Sequence, residues 1–126
     1  MTAIHPFLAV RDVDAAVELY GRAFGAELMG SVLRAPDGAA VAEMSIDGCA
    51  FGIATEAPQL KTPSPETVGA TTVRVSLVVS DPDAVVDRAV EAGCELMFPV
   101  ADQPYGWRQG RVVDPFGHHW LVGRPL

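Results

Sequence analysis

The sequence predicts an α+β fold of two tandem βαβββ modules. Their curved, mixed sheets each bear a cleft and carry their helices on the outside. Three observations predict it. The stretch 10–29, VRDVDAAVELYGRAFGAELM, returns at 79–97 as VSDPDAVVDRAVEAGCELM. Val10 matches Val79, Asp12 matches Asp81, Asp14 matches Asp83 and Ala15 matches Ala84; after a one-residue gap Gly25 matches Gly93, and Glu27-Leu28 matches Glu95-Leu96. A fainter echo pairs SIDGCAFGIA (45–54) with VVDPFGHHWLV (112–122). Between the copies, EAPQLKTPSPETVGA (56–70) holds three prolines among polar residues, the composition of a linker. One domain over 1–126 follows, with module 1 at about 1–55, a linker at about 56–70 and module 2 at about 71–126.

Each element has a local reason. In module 1, Ile4, Leu8 and Val10 lie opposite His5, Phe7 and Ala9, so a first strand shows one apolar and one mixed face. Val13, Ala16, Val17, Tyr20 and Phe24 recur at the helical period. PDG at 36–38 joins strands near 26–34 and 39–46, and DG at 47–48 leads to a strand near 49–55. In module 2, Val73, Val75, Leu77 and Val79 alternate with Arg74, Ser76 and Val78. Asp81 suits a helix N-cap, Pro82 the first helical position and Gly93 the stop, with Val86, Ala89 and Val90 on the buried stripe. DPFG at 114–117 has proline and glycine where a tight turn needs them. The apolar strand faces belong under the helices, which leaves the mixed faces to line something.

A chain of 126 residues can bury about two thirds of its unfolded surface, so its core needs no staples. Nine basic against sixteen acidic side chains give a net charge of −7. Nucleic acid is excluded by that balance, because phosphate contacts need clustered Lys and Arg. The negative field would instead attract cationic small molecules. Cys49 and Cys94 lack metal-ligand spacing and are expected as two buried, reduced thiols. No apolar run approaches a membrane span, and MTAIHPFLAV lacks the features of a secretion signal, so a cytoplasmic location is expected.

PFLAVRDVDAAVELYGRAFGAEL, PDGAAVAEMSIDGCAFGI and DQPYGWRQGRVVDPFGHHW together resemble the glyoxalase/bleomycin-resistance/extradiol-dioxygenase superfamily, also called vicinal oxygen chelate proteins. The small single-chain, glyoxalase-like branch is the nearest in pattern. The resemblance implies paired βαβββ modules cupping a cleft, and a homodimer. It spans metal lyases, isomerases, oxygenases and metal-free drug-binding proteins, so it names no reaction. Enzymes of this kind hold a divalent metal with four His, Gln or Glu side chains, one near the start of each module's first strand and one on each last strand. The resemblance carries those places onto His5, Gly52, Arg74 and Leu121. Only His5 can be a ligand. Arginine stays cationic and offers no lone pair, and a guanidinium 4 Å from a cation costs on the order of 4 kcal/mol per unit charge pair. No metal and no cofactor are expected.

Period-two alternation sends His118 and His119 to opposite faces, so they cannot clamp one ion. His118 reads as a side chain supporting the turn through backbone hydrogen bonds. His119 shares the face of Leu121, as a cleft residue or a plain exposed histidine. The cleft face is expected to offer His5, Phe7, Arg74, Ser76, Leu121 and His119. The loop 102–110 adds Tyr105, Trp107 and Arg108. Tyr105 and Trp107 could wall a flat ligand or anchor the loop; Arg108 could bind an anion or pair with Asp102 or Asp114. Phe51 matches Trp120 and is expected in the core. His5 and Glu43 are conceivable general bases, although relatives often carry a His where Val41 stands here. The expected function is metal-free binding of a small aromatic or drug-like molecule. A lyase, isomerase or dioxygenase with an altered site is the alternative.

Overall fold

The computed structural model describes all 126 residues. Module 1 comprises β1 (Phe7–Val10), α1 (Val13–Phe24), β2 (Glu27–Arg34), β3 (Ala40–Ile46) and β4 (Cys49–Thr55). After a short helix α2 (Pro65–Val68), module 2 comprises β5 (Arg74–Val78), α3 (Pro82–Ala92), β6 (Glu95–Asp102), β7 (Trp107–Val113) and β8 (His119–Pro125). The sheets have matching orders, β1-β4-β3-β2 and β5-β8-β7-β6, with the first pair parallel and the rest antiparallel. Register makes the repeat concrete. Phe7 stands beside Gly52 as Ser76 stands beside Leu121, so Gly52 and Leu121 are equivalent positions.

Both long helices start and stop on side-chain logic. Asp12 accepts from the Ala15 amide at 3.1 Å and Asp81 from the Ala84 amide at 3.2 Å. Such caps are worth about 1 kcal/mol each. Gly25 at φ 68° and Gly93 at φ 120° end the helices in backbone that a side chain would strain. α1 and α3 pack on each other and on one face of the sheets. Beneath them a single cluster of 21 buried apolar residues runs through both modules. Phe51 lies in it, edge-on to both Tyr20 and Trp120.

One buried carboxylate ties the modules together. Asp114, at the β7–β8 turn, accepts from Tyr20 Oη at 2.6 Å, Trp120 Nε1 at 2.9 Å, and the amides of Phe116 at 2.9 Å and His118 at 3.0 Å. Tyr20 comes from module 1 and the other three from module 2. Burial first, then the Asp114 charge and hydrogen bond, raises the Tyr20 hydroxyl well above its usual pKa. His118 adds a second tie, with Nε2 2.8 Å from the Ala9 carbonyl of β1.

The segment expected as a linker is folded. A short 3-10 turn at Pro58–Leu60 precedes α2. The Glu56 carboxylate accepts from the Ser64 amide at 2.8 Å and the Thr67 hydroxyl at 2.9 Å, and these bonds hold its pKa below the ordinary range. Ser64 is fully buried, and Gly117 lies against Pro65. Other corrections concern strand ends. β1 begins at Phe7, so Ile4 is solvent-exposed, and Val73 lies outside β5 with 67% of its surface exposed.

One outer strand of each sheet, β2 and β6, is irregular. The β2–β3 register shifts between Met29 and Leu33, where Gly30 sits at φ 75°. The β6–β7 register shifts twice between Leu96 and Ala101, around Pro99. No helix is long and apolar enough to cross a membrane.

Only one of the two thiols is buried, contrary to expectation. Cys49 is exposed, whereas Cys94 is buried. Burial first, then the Asp114 charge, pushes the Cys94 thiol up to about 12. Because the thiolate is the reactive form, a disulfide reagent at pH 8 should modify one thiol rapidly and the second only on unfolding. The thiol-release trace checks this, and two fast equivalents would contradict the burial. The sign for stability follows: the Cys94 contribution is whole below the unfolded value near 9.0 and is lost as pH rises towards 12.

Candidate functional site

The helix-free faces of the two sheets are the candidate site, because alternation points the mixed side chains there. On module 1, register aligns Phe7, Gly52, Glu43 and Met29 in one row across β1, β4, β3 and β2. A hollow of about 250 Å³ is lined by His5, Phe7, Met29, Leu33, Val41, Glu43 and Gly52, among others. The Phe7 ring lies over Gly52, so that a Cβ there would collide with it. One position implied for a metal ligand is therefore a bare backbone under an aromatic ring.

On module 2 two rows carry the site. Arg74 stands beside His119, and Ser76, Leu121, Arg111 and Phe98 follow one another across β5, β8, β7 and β6. Two hollows meet at Arg111. One, of about 370 Å³, includes Phe98, Gln103, Tyr105, Gln109 and Leu121 in its lining. The other, of about 360 Å³, is lined by the 69–72 backbone stretch, Arg74, Arg111 and His119. The Arg111 guanidinium lies 5.4 Å from the Phe98 ring centroid, a cation–π distance. Arg111 Nε and His119 Nδ1 are buried without a hydrogen-bond partner. Ser76 instead lines a third hollow, with His5, at the junction of the modules.

Of the loop residues, Tyr105 reaches a hollow, with its hydroxyl 2.8 Å from Gln109 Oε1. Trp107 starts β7 opposite Pro125, outside the lining of both module 2 hollows. Arg108 does not face the cleft. It lies on the helix side, paired with Asp83 on α3 at 2.8 Å and with Asp102 at 3.0 Å. These bonds raise its pKa and lower that of Asp83. Its position in β7 explains this: Arg108 shares parity with the buried Val112, while Gln109 and Arg111 point the other way. The same alternation, applied along the whole of 107–113, would have found Arg111, which reading 102–110 as a loop missed.

The residues do not fit a family-type metal. Gly52 and Leu121 offer no donor and Arg74 is a cation. No three His, Cys, Asp or Glu side chains of the chain gather where they could hold an ion. His118 is committed to Ala9, and the lone His119 beside Leu121 and Arg111 is a poor chelator.

Comparison with known proteins agrees with this architecture. The family model described as Glyoxalase/Bleomycin resistance protein/Dioxygenase superfamily matches residues 2–122. The uncharacterized protein Mb0911c of Mycobacterium bovis is 38% identical over 128 residues, spanning 98% of this chain and 84% of that protein. TioX from Micromonospora sp. ML1 is 32% identical with a TM-score of 0.70, covering 98% of this chain and 100% of that one. The fosfomycin resistance protein FosX from Listeria monocytogenes shares the fold at 14% identity and a TM-score of 0.73, over 99% of this chain and 92% of its own.

Proposed function

Because the chain belongs to the glyoxalase/bleomycin resistance/dioxygenase superfamily, we propose that it binds a small aromatic or drug-like molecule in its sheet cleft without a metal. Antibiotic sequestration is one form of this activity. The observation that carries the reading is the bareness of the cleft faces. Phe7, Met29, Leu33, Val78, Phe98 and Tyr105 are each more than half exposed. Apolar surface of this extent rimmed by a few polar groups is what small-molecule sites and subunit contacts offer. A homodimer completes the proposal. Two open cups leave these faces wet in one chain, and a second copy would cover them and close a cleft around the ligand. The reading includes a cytoplasmic location and no nucleic-acid partner.

An enzyme of the same superfamily is the second reading. His5 and Glu43, the two candidate general bases, line one hollow. Lyase, isomerase or dioxygenase chemistry with an altered site would use them.

Sedimentation velocity at micromolar concentration should return a dimer. Calorimetric titration with planar drug-like compounds should show saturable binding, a readout that does not depend on Trp107, which lies outside the hollows. A monomer that responds to none of a broad panel would sink the proposal. Stoichiometric Ni, Zn, Mn or Fe in protein purified without chelator, lost on His5→Ala, would favour the enzyme.

A further inference from the structure

We propose that the module 2 cleft is an anion subsite, in which Arg74, Arg111 and His119 receive the carboxylate of an aromatic acid whose ring lies against Phe98, Tyr105 and Leu121. The inference rests on the binding function proposed above and names its ligand class.

The argument starts from how the eight arginines are used. Arg11, Arg22, Arg34 and Arg108 each pair with a carboxylate. Arg88 and Arg124 donate to backbone carbonyls. Arg74 makes no hydrogen bond or ion pair, and Arg111 has only a 4.0 Å contact with Met97 Sδ. A chain with seven excess negative charges thus leaves two guanidinium groups without an oxygen partner, and both line the same hollow. No Asp or Glu lines that hollow or the one adjoining it. The orphaned Arg111 Nε and His119 Nδ1 belong to two residues that line this hollow. Buried polar atoms in native proteins have partners, so the Arg111 Nε–H donor calls for an acceptor, and His119 Nδ1 for a partner set by its tautomer.

Geometry supplies the rest. Arg111 lines both hollows, so a group bonded to it continues directly into the space of Phe98, Tyr105 and Leu121. Beyond the cation–π contact with Phe98 and the contact with Met97 Sδ, the Arg111 guanidinium has no partner. A planar fork of donors suits a carboxylate, and charge-assisted bonds of this kind are the strong ones. The overall negative field draws cations to the surface, but the local charge within this cleft selects the opposite sign.

Isothermal titration of the intact chain with naphthalene-2-carboxylate, naphthalene-2-carboxamide and 2-naphthylmethylammonium at low ionic strength tests the assignment. The carboxylate should bind at least about tenfold more tightly than the amide, and the ammonium most weakly. That preference should shrink with added salt and vanish in Arg111→Gln. Arg74→Gln changes an exposed side chain that makes no hydrogen bond or ion pair, so it should leave the fold intact and reduce the preference in the same direction. Equal binding of carboxylate and amide would overturn the anion subsite and leave the binding function standing. Tighter binding of the ammonium would overturn the subsite too. Silence from all three compounds would overturn the subsite, and the binding function is decided separately by the broad panel.

Discussion

Asp114→Asn should destabilise the protein by roughly 3–5 kcal/mol, a large part of the 5–15 kcal/mol that holds a typical domain. Asparagine keeps one oxygen of the carboxylate and replaces the other with an NH2 group. Either orientation sets that group against two of the four donors now satisfied, Tyr20 Oη and Trp120 Nε1 or the amides of Phe116 and His118. A buried donor without its acceptor costs about 1–3 kcal/mol, and here at least one is lost, Trp120 Nε1 or the two amides, beside a removed charge. Tyr20→Phe should cost only about 1 kcal/mol, because Trp120 still uses the same oxygen. Since Tyr20 and Trp120 belong to different modules, Asp114→Asn should lower the urea midpoint of the whole chain. A midpoint within about 1 kcal/mol of the parent would contradict the role assigned to this carboxylate. Alkali tests the same group from the other side. The raised Tyr20 hydroxyl contributes stability that is whole below about pH 10 and is lost as pH rises through its folded value.

Gly110→Ala should cost about 2–3 kcal/mol, whereas Gly52→Ala should cost less than about 1 kcal/mol, although both added methyls meet a neighbour. At Gly110 the new Cβ would sit 2.9 Å from the Phe98 carbonyl oxygen and 2.9 Å from the Val100 amide nitrogen. Those are backbone atoms of a paired strand, and they move only if the β6–β7 ladder moves. At Gly52 the obstacle is the Phe7 ring, which is 64% exposed and free to swing into solvent. Gly52→Ala should instead alter the module 1 hollow that Phe7 lines. Equal shifts in the urea midpoints of the two variants would show that flexibility of the obstructing atom does not decide the cost.

Much of the fold was legible because its signals are local. Asp81, Pro82 and Gly93 act at the ends of α3 as their types demand, and the strand expected near 39–46 is β3 over Ala40–Ile46. What was misread depends on tertiary packing. Ile4 and Val73 extend an apolar alternation, but no helix covers them, and composition does not reveal where a strand leaves its sheet. The 56–70 segment does join the modules, and Glu56 closes it into a tight connection that its composition does not announce. For the site, alternation placed Phe7, Arg74, His119 and Leu121 on mixed faces. Reading 102–110 as a loop missed Arg111 and left Arg108 open between an anion and an ion pair, of which the pair with Asp102 is present. Pairing of Arg108 with Asp83 across distant elements carries no signature in the chain.

The bulged outer strands β2 and β6 bear on how this molecule avoids fibrils. An edge that is straight and apolar can recruit another chain strand by strand and grow a cross-β stack without limit. Both edges carry apolar side chains, yet Gly30 twists one and Pro99 removes an amide from the other. Recruitment of a further chain strand by strand is thereby opposed at one edge of each sheet.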